Sequence, residues 1–368
     1  MINQERLVNT FLTYVQIDSE SLEEKDFALK VAEDFKALGA CVSFDNAGEV
    51  IGGNVGNLYC KLAGDSSLEP ILMSAHMDTV KPGKGIKPII EGNIIKTDGT
   101  TVLGSDDKSG IVCILEALRY AKENGINHPP IEAVFTIAEE IGLKGSQNLD
   151  YSRITAKKGV VLDSGGDAGK IIAAAPGQLK LTGTFIGKGA HAGVAPEKGI
   201  SAIQIAAHAI SNMKLLRIDE ETTANIGTIT ANYATNIVPE KVTIFGEARS
   251  RDNAKLKAQG EHMMKCIQDA CEKFGGTFEG ELTHSYSGYK YTEDDAFIKD
   301  LKAACVAAGL TPELAVSGGG SDVNNMVEKG VLAVNLGCGM DKVHTVNEQI
   351  TIDNLVNTTK LLVELIRK

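Results

Sequence analysis

The 368-residue sequence lacks the features that direct a chain to a membrane or to nucleic acid. It has no run of about 20 apolar residues, the length that a transmembrane helix needs. No basic cluster is longer than the pair Lys157-Lys158, and 37 basic against 48 acidic residues leave a net charge of −11. Because nucleic-acid binding needs a basic surface, we expect neither a nucleic acid nor a membrane as partner. The acidic excess suits a metal-binding protein, but charge alone favours a solvated surface.

Paired cysteines are also missing. The seven cysteines are an odd number and include no Cys-x-x-Cys motif, which indicates buried thiols in a reducing compartment rather than disulfides or a zinc ribbon. The first fifteen residues contain Glu5 and no basic leading region, unlike a signal peptide. We therefore expect a cytoplasmic protein.

The pattern of apolar residues predicts an α/β fold. Strand-like runs at 71–73 and 131–138 alternate with helical patterns. Between them Ile111, Ile114 and Leu118 recur at the spacing of one buried helix face. This alternation favours a mostly parallel sheet sandwiched by helices.

A different pattern occupies residues 177–286. It follows the order β-α-β-β-α-β, with helices at about 200–216 and 253–274, which is typical of a small ferredoxin-like α+β domain. We therefore predict a discontinuous catalytic domain, 1–176 and 287–368, into which the second domain is inserted.

Five short segments carry imidazole or carboxylate groups, and each is placed after a predicted strand. They are Ala75–Asp78, Gly104–Lys108, Ala138–Gly142, Leu162–Gly166 and Val343–Thr345. Taken singly, each is better explained as a surface histidine, a helix N-cap, a solvated pair or a turn. Because ligands of open α/β sheets bind at the carboxyl ends of the strands, we expect the five to converge. Imidazole and carboxylate groups without thiolates suit two divalent ions such as Zn, Mn or Co.

The order of these motifs resembles that of the di-zinc aminopeptidase, carboxypeptidase and aminoacylase superfamily. Within it, the sequence is similar to the peptidase T-like tripeptidases. The shared order is His-x-Asp, Gly-x-Asp-Asp-Lys, Glu-Glu-x-Gly, a lone Asp and a C-terminal His, and the resemblance covers essentially the whole chain. It implies two bound metal ions, Zn or alternatively Co or Mn, and an inserted domain that acts as a lid and forms a homodimer.

The resemblance also implies which residues bind the ions. His76 and Asp163 would hold one ion. Glu140 and His344 would hold the other, and Asp106 would bridge the two. All five positions are filled in this sequence, which argues against an inactive member of the family.

Further residues are assigned roles by the same resemblance. Asp78 would orient the imidazole of His76. Glu139 would be the general base, taking a proton from a water whose pKa the two ions lower toward about 7. The weaker matches are substrate-binding positions, most of them in the inserted domain: His191, Asn236, Arg249, Gly319 and Gly320. Of these, Arg249 suits a substrate carboxylate.

We therefore expect an aminopeptidase that removes the N-terminal residue of short peptides. A carboxypeptidase or an N-acyl-amino-acid deacylase with the same metal site stays open, because the group that recognises the substrate N-terminus is not evident from the sequence. A non-catalytic metal-binding protein is the alternative from another class, and it predicts a missing ligand or base. A serine hydrolase is excluded by the absence of Gly-x-Ser-x-Gly around Ser321.

Overall fold

The computed structural model describes residues 1–367. The strands in this part of the chain are β1 (Cys41–Phe44), β2 (Leu58–Leu62), β3 (Ile71–His76), β4 (Pro88–Glu91), β5 (Ile94–Thr97), β6 (Ile131–Thr136), β7 (Lys158–Gly165), β8 (Lys170–Ala175), β9 (Gly177–Ile186), β10 (Ala190–His191), β11 (Leu216–Arg217), β12 (Thr222–Thr230), β13 (Ile237–Val238), β14 (Lys241–Ser250), β15 (Thr277–Tyr286), β16 (Tyr289–Lys290), β17 (Glu313–Val316), β18 (Leu332–Asp341) and β19 (Gln349–Thr351). The α-helices are α1 (Gln4–Val15), α2 (Lys25–Leu38), α3 (Ala47–Ile51), α4 (Ser105–Glu123), α5 (Lys144–Gln147), α6 (Ala202–Asn212), α7 (Asn253–Phe274), α8 (Ala296–Ala307), α9 (Asp322–Glu328) and α10 (Ile352–Ile366).

The chain forms two compact units. The first comprises residues 1–173, 291–316 and 321–367, and the second comprises 174–290 and 317–320. The boundaries predicted from the sequence assigned residues 174–176, 287–290 and 317–320 to the catalytic domain, whereas in the structure they pack with the second unit. That the units act as a catalytic domain and a lid stays a prediction.

A mixed sheet organises the first unit, with the strand order β1-β2-β6-β3-β7-β18-β19-β5-β4. The four central strands, β6, β3, β7 and β18, run parallel to one another. Antiparallel strands extend the sheet on both sides. Every residue of β3 and β6 is buried, as expected for central strands covered on both faces. The predicted α/β fold is confirmed, and its parallel part consists of the four central strands.

Helix α4 packs against the centre of this sheet. The apolar residues Ile111, Leu115 and Leu118 are fully buried as predicted. The prediction of a single buried face is wrong, however, because every residue from 105 to 118 is buried and the helix is enclosed on all sides there. Gly110 permits the close approach of helix and strand, because a Cβ atom at this position would lie 2.7 Å from the Cβ of Leu162 in β7. The same helix begins at the candidate site, so its packing also positions the residues of its first turn.

The second unit has the predicted β-α-β-β-α-β order, formed by β9, α6, β12, β14, α7 and β15. Its antiparallel sheet has the order β11-β12-β14-β9-β15, and α6 and α7 pack together. The predicted helix 200–216 is too long, since α6 ends at Asn212. Met213 is extended, and the N–H of Lys214 donates to Nε2 of His262 instead of continuing the helix.

All seven cysteines are free thiols, and five of them are buried. Among residues 1–367 no helix combines the length and the apolar character needed to cross a membrane.

Truncating the α4 face tests how far it stabilises the first unit. Leu115→Ala removes a fully buried side chain and is expected to lower the free energy of unfolding by about 2–5 kcal/mol, measured by urea denaturation. The control Val306→Ala truncates a side chain in α8 that is 65% exposed, and it should change stability by less than about 0.5 kcal/mol. Equal effects of the two substitutions would contradict the packing described here.

Candidate metal centre

The carboxyl ends of the four central strands carry four of the five predicted metal ligands. His76 is the last residue of β3, and Asp163 is the third residue from the end of β7. Glu140 follows β6 and His344 follows β18 after short loops. Because these strands are parallel neighbours, the four side chains lie at one edge of the sheet.

Asp106 reaches the same edge by a different route. The sequence analysis placed Gly104–Lys108 directly after a strand, but the structure places it at the start of α4, separated from β5 by residues 98–103. Asp106 and Asp107 have non-helical backbone angles. This irregular first turn directs Asp106 toward the sheet edge instead of continuing the helix.

The carboxylate of Asp106 lies between two pairs of potential ligands. Its Oδ1 is 3.0 Å from Nε2 of His76, which is itself 3.8 Å from Oδ1 of Asp163. Its Oδ2 is 3.4 Å from Nε2 of His344, which is 2.9 Å from Oε2 of Glu140. One carboxylate oxygen therefore faces each pair, as a bridging ligand requires.

The charges at this edge favour bound cations. Within residues 1–367 the ion pairs of Asp106, Glu140 and Asp163 involve only His76 and His344, and no Lys or Arg. Carboxylates crowded in a buried place repel each other unless a cation lies among them. Imidazole nitrogens and carboxylate oxygens are donors that Zn, Mn and Co accept. The residues present therefore fit a divalent metal centre.

The same crowding perturbs the acid–base behaviour of the site. Burial raises the pKa of Glu139 and of Asp163 well above their usual values, and neighbouring carboxylates raise them further. Hydrogen bonding to Asp106 and Glu140 raises the pKa of His344 to about 10. Burial opposes ionisation of Asp106, but its contacts with the two imidazoles hold the pKa of that carboxyl below its usual range.

Asp78 supports both His76 and the loop after β6. Its carboxylate is fully buried and accepts hydrogen bonds from the N–H groups of Glu139 and Glu140 at 2.9 and 3.2 Å, and from the Ser21 hydroxyl at 2.6 Å. Nδ1 of His76 lies 2.9 Å from the backbone oxygen of Asp78 and 3.4 Å from its carboxylate. The backbone oxygen of Asp78 therefore lies closer to the imidazole of His76 than the carboxylate of Asp78 does.

Glu24 is a second buried support, and the sequence analysis missed it. Its Oε1 accepts hydrogen bonds from the N–H groups of Leu22 and Ala138. Ala138 has φ 51°, a left-handed conformation that is unfavourable without such support. Oε2 of Glu24 is buried and has no hydrogen-bond partner among residues 1–367. Burial and the nearby charge of Asp78 raise the pKa of Glu24 to about 7.

Two further acidic residues at the site were assigned no role from the sequence. Asp107 is buried and accepts the N–H of His76 at 3.2 Å. Its carboxylate also lies close enough to His76 and Asp163 to share an ion with them. Glu348 is buried and accepts hydrogen bonds from the turn that ends at Asp106. A signal for Glu348 was available, because it follows the predicted ligand His344 by four residues.

The predicted substrate-binding residues lie in the second unit. His191 pairs with Ile237 between β10 and β13, next to Asn236, whose backbone oxygen accepts the N–H of Ala192. The structure therefore brings His191 and Asn236 together.

Arg249 and the glycines of 317–320 have contacts of their own in that unit. The guanidinium of Arg249 makes two hydrogen bonds to Glu247, at 2.9 and 3.0 Å. A Cβ atom at Gly320 would lie 2.4–2.5 Å from the ring and hydroxyl of Tyr286, so a larger residue there would require Tyr286 to shift. Gly319 donates its N–H to the hydroxyl of Ser317. Substrate binding by these residues stays a prediction.

Comparison with known proteins decides the family. The protein-family model described as peptidase family M20/M25/M40 matches residues 72–368 of this chain. The chain belongs to this family. The resemblance inferred from the motifs is thereby confirmed, and the protein is an enzyme of the metallopeptidase class.

This M20-family peptidase is similar to two proteins of known crystal structure and to a further protein compared by sequence. The crystal structure of aminopeptidase PepT from Bacillus cereus is 46% identical, with a TM-score of 0.95 over 99% of this chain and 98% of that one. A tripeptidase from Staphylococcus aureus is 40% identical, with a TM-score of 0.95 over 100% of this chain and 98% of that one. The uncharacterized protein YqjE from Bacillus subtilis is 45% identical over 100% of this chain and 99% of its own length.

The raised pKa of Glu24 predicts a pH-dependent loss of stability in the metal-free M20-family chain. Folding favours the protonated carboxyl, so its contribution is present below the unfolded pKa of about 4.3 and is lost as pH rises toward 7. Relative to Glu24→Gln, the free energy of unfolding of the wild type should fall by on the order of 3 kcal/mol across that window. The amide oxygen of the variant can still accept both N–H groups. Urea denaturation at pH 4.5, 6 and 7.5 measures the difference, and a constant difference would exclude the raised pKa.

Proposed function

We propose that the protein is an aminopeptidase that removes the N-terminal residue of short peptides with the help of two divalent ions, Zn or alternatively Co or Mn. The observation that carries the proposal is the position of Asp106, with one oxygen toward His76 and Asp163 and the other toward Glu140 and His344. The family assignment and the likeness to an aminopeptidase and a tripeptidase support the choice of substrate.

Glu139 is the general base in this proposal. When bound, the two ions would supply an activated water and polarise the scissile carbonyl. Glu139 takes a proton from the attacking water and delivers it to the leaving nitrogen. Its N–H is held by Asp78 and the preceding N–H by Glu24, so the backbone that carries the base is fixed on both sides.

The substrate contacts belong to the same proposal. Arg249 binds a peptide carboxylate, and Glu247 keeps its guanidinium in a fixed orientation. His191 and Asn236, neighbours in the second unit, stabilise the oxyanion or bind the peptide, and Gly319 and Gly320 provide backbone contacts.

Location and assembly complete the proposal. Seven free cysteines agree with a reducing compartment, and we place the enzyme in the cytoplasm. A homodimer through the second unit, which would act as a lid, follows from the resemblance described above.

A small panel of compounds tests the substrate class. The Zn- or Co-loaded protein is incubated with a free tripeptide, its N-acetylated form, its C-amidated form and an N-acyl amino acid, and the products are identified by mass spectrometry. We expect release of the first residue from the free tripeptide and none from the acetylated one. Cleavage of the acylated compounds would instead indicate a deacylase. No cleavage with two ions bound would favour a non-catalytic metal-binding protein.

Glu139→Gln tests the general base. The substitution keeps the size of the side chain and removes its ability to accept a proton, so kcat should fall by about 10²–10⁴-fold. Bound metal, measured by mass spectrometry of the element, should stay at the wild-type stoichiometry, because Glu139 is not among the proposed ligands. Wild-type turnover in this variant would show that another group is the base.

A further inference from the structure

We propose that Glu348 is a positioning residue of the metal centre. It joins the turn that carries Asp106 to the loop that carries His344, and it thereby sets the affinity for the ion that these two share with Glu140. This inference rests on the metal centre of the proposed function.

The carboxylate of Glu348 is saturated by donors from a single turn. The side chain is buried, with 1% of the residue exposed. Oε2 accepts the N–H groups of Leu103 and Gly104 at 2.7 and 2.9 Å. Oε1 accepts the hydroxyl of Ser105 at 2.6 Å and the N–H of Asp106 at 3.1 Å. The last donor is the backbone of the proposed bridging ligand itself.

The backbone of Glu348 is anchored on the other side. Its N–H donates to the oxygen of Thr345 at 3.1 Å. The next residue, Gln349, begins β19, which pairs with β18 and β5. Residues 342–348 therefore form a short loop between two paired strands, and His344 lies within it.

His344 depends on that loop for its position. It has φ 62°, and more than half of its side chain is exposed, so little packing holds the imidazole. Its ion-pair contacts within the described chain are to Asp106 and Glu140. The separation of 3.4 Å between Nε2 of His344 and Oδ2 of Asp106 is thus set by how Glu348 connects the two segments.

Only a carboxylate fits this position. Four donors need two acceptor atoms, and a Gln side chain offers one oxygen together with an NH₂ group that is itself a donor. In Glu348→Gln at least two donors of the turn lose their acceptor. Metal ligands must keep their distances within about 0.2 Å. A relaxed turn therefore weakens the ion held jointly by Asp106 and His344.

Glu132 provides a matched control. It is also a buried carboxylate with four donors: the N–H and hydroxyl of Thr155, the N–H of Ala156 and the ammonium of Lys61. It lies near the start of β6, whereas the metal centre lies beyond the end of that strand. Glu132→Gln therefore breaks the same kind of network without touching the site.

The test compares metal binding in the wild type, Glu348→Gln and Glu132→Gln. Each protein is stripped of metal and titrated with Zn²⁺ by calorimetry, with Co²⁺ absorption spectra as a second readout of coordination. We expect the wild type and Glu132→Gln each to bind two ions, and each ion should have the same dissociation constant in both proteins. In Glu348→Gln the dissociation constant of the weaker ion should rise about 10–100-fold, so that one ion remains where the wild type holds two.

Three results would overturn the inference. Wild-type constants for both ions in Glu348→Gln would show that Glu348 does not position the site. An equal loss of metal affinity in Glu132→Gln would show that the affinity falls because the protein is less stable, and not because the site is mispositioned. If the wild type does not bind two ions, the proposed function fails together with this inference. In the first two results the wild type still binds two ions, so only the inference about Glu348 fails.

A milder variant covers the case that Glu348→Gln does not fold. Ser105→Ala removes one of the four donors and leaves the carboxylate intact. It should weaken the same ion by a smaller factor. Unchanged binding in this variant would equally contradict the proposal.

Discussion

The repulsion among buried carboxylates at one sheet edge is the constraint on which the rest of the first unit depends. Asp106, Glu140 and Asp163 meet there with two imidazoles as their only cationic partners among residues 1–367. Such a cluster is unfavourable unless each group is held and compensated. The parallel strands bring the groups together, and divalent ions would provide the compensating charge.

Two buried acids that are not among the predicted ligands hold the loop after β6. Asp78 and Glu24 together accept the N–H groups of three consecutive residues, 138–140. A buried N–H that finds an acceptor avoids the free-energy cost of an unmade hydrogen bond. The loop after β6 can therefore keep Ala138 in a left-handed conformation beside the proposed base.

Much of this organisation could be predicted from the sequence, and the reasons are physical. Apolar runs and helical spacing indicated the α/β unit and the inserted β-α-β-β-α-β unit because burial imposes those periods. Motifs such as His76-Met77-Asp78 suggested a metal site, and the individual ligands were assigned through the resemblance to a metallopeptidase family, so metal binding by each of them stays a prediction. The irregular start of α4 could not be predicted, since Ser105 and Asp106 are ordinary residues for a helix N-terminus. Glu24 was missed because it accepts backbone N–H groups, which leave no pattern in the sequence around it. Glu348 could have been noticed from its place four residues after His344, although its role could not, since its partners lie far away in residues 103–106.

The position of β18 in the sheet has a consequence for how the protein is made. This strand lies between β7 and β19 in space but comes from the last tenth of the chain together with His344. During synthesis residues 174–290 leave the ribosome before β18 exists, so the second unit can form while the first still lacks an inner strand. The first unit is then completed by a strand that is synthesised last, so the residues of the candidate metal centre can come together only at the end of translation.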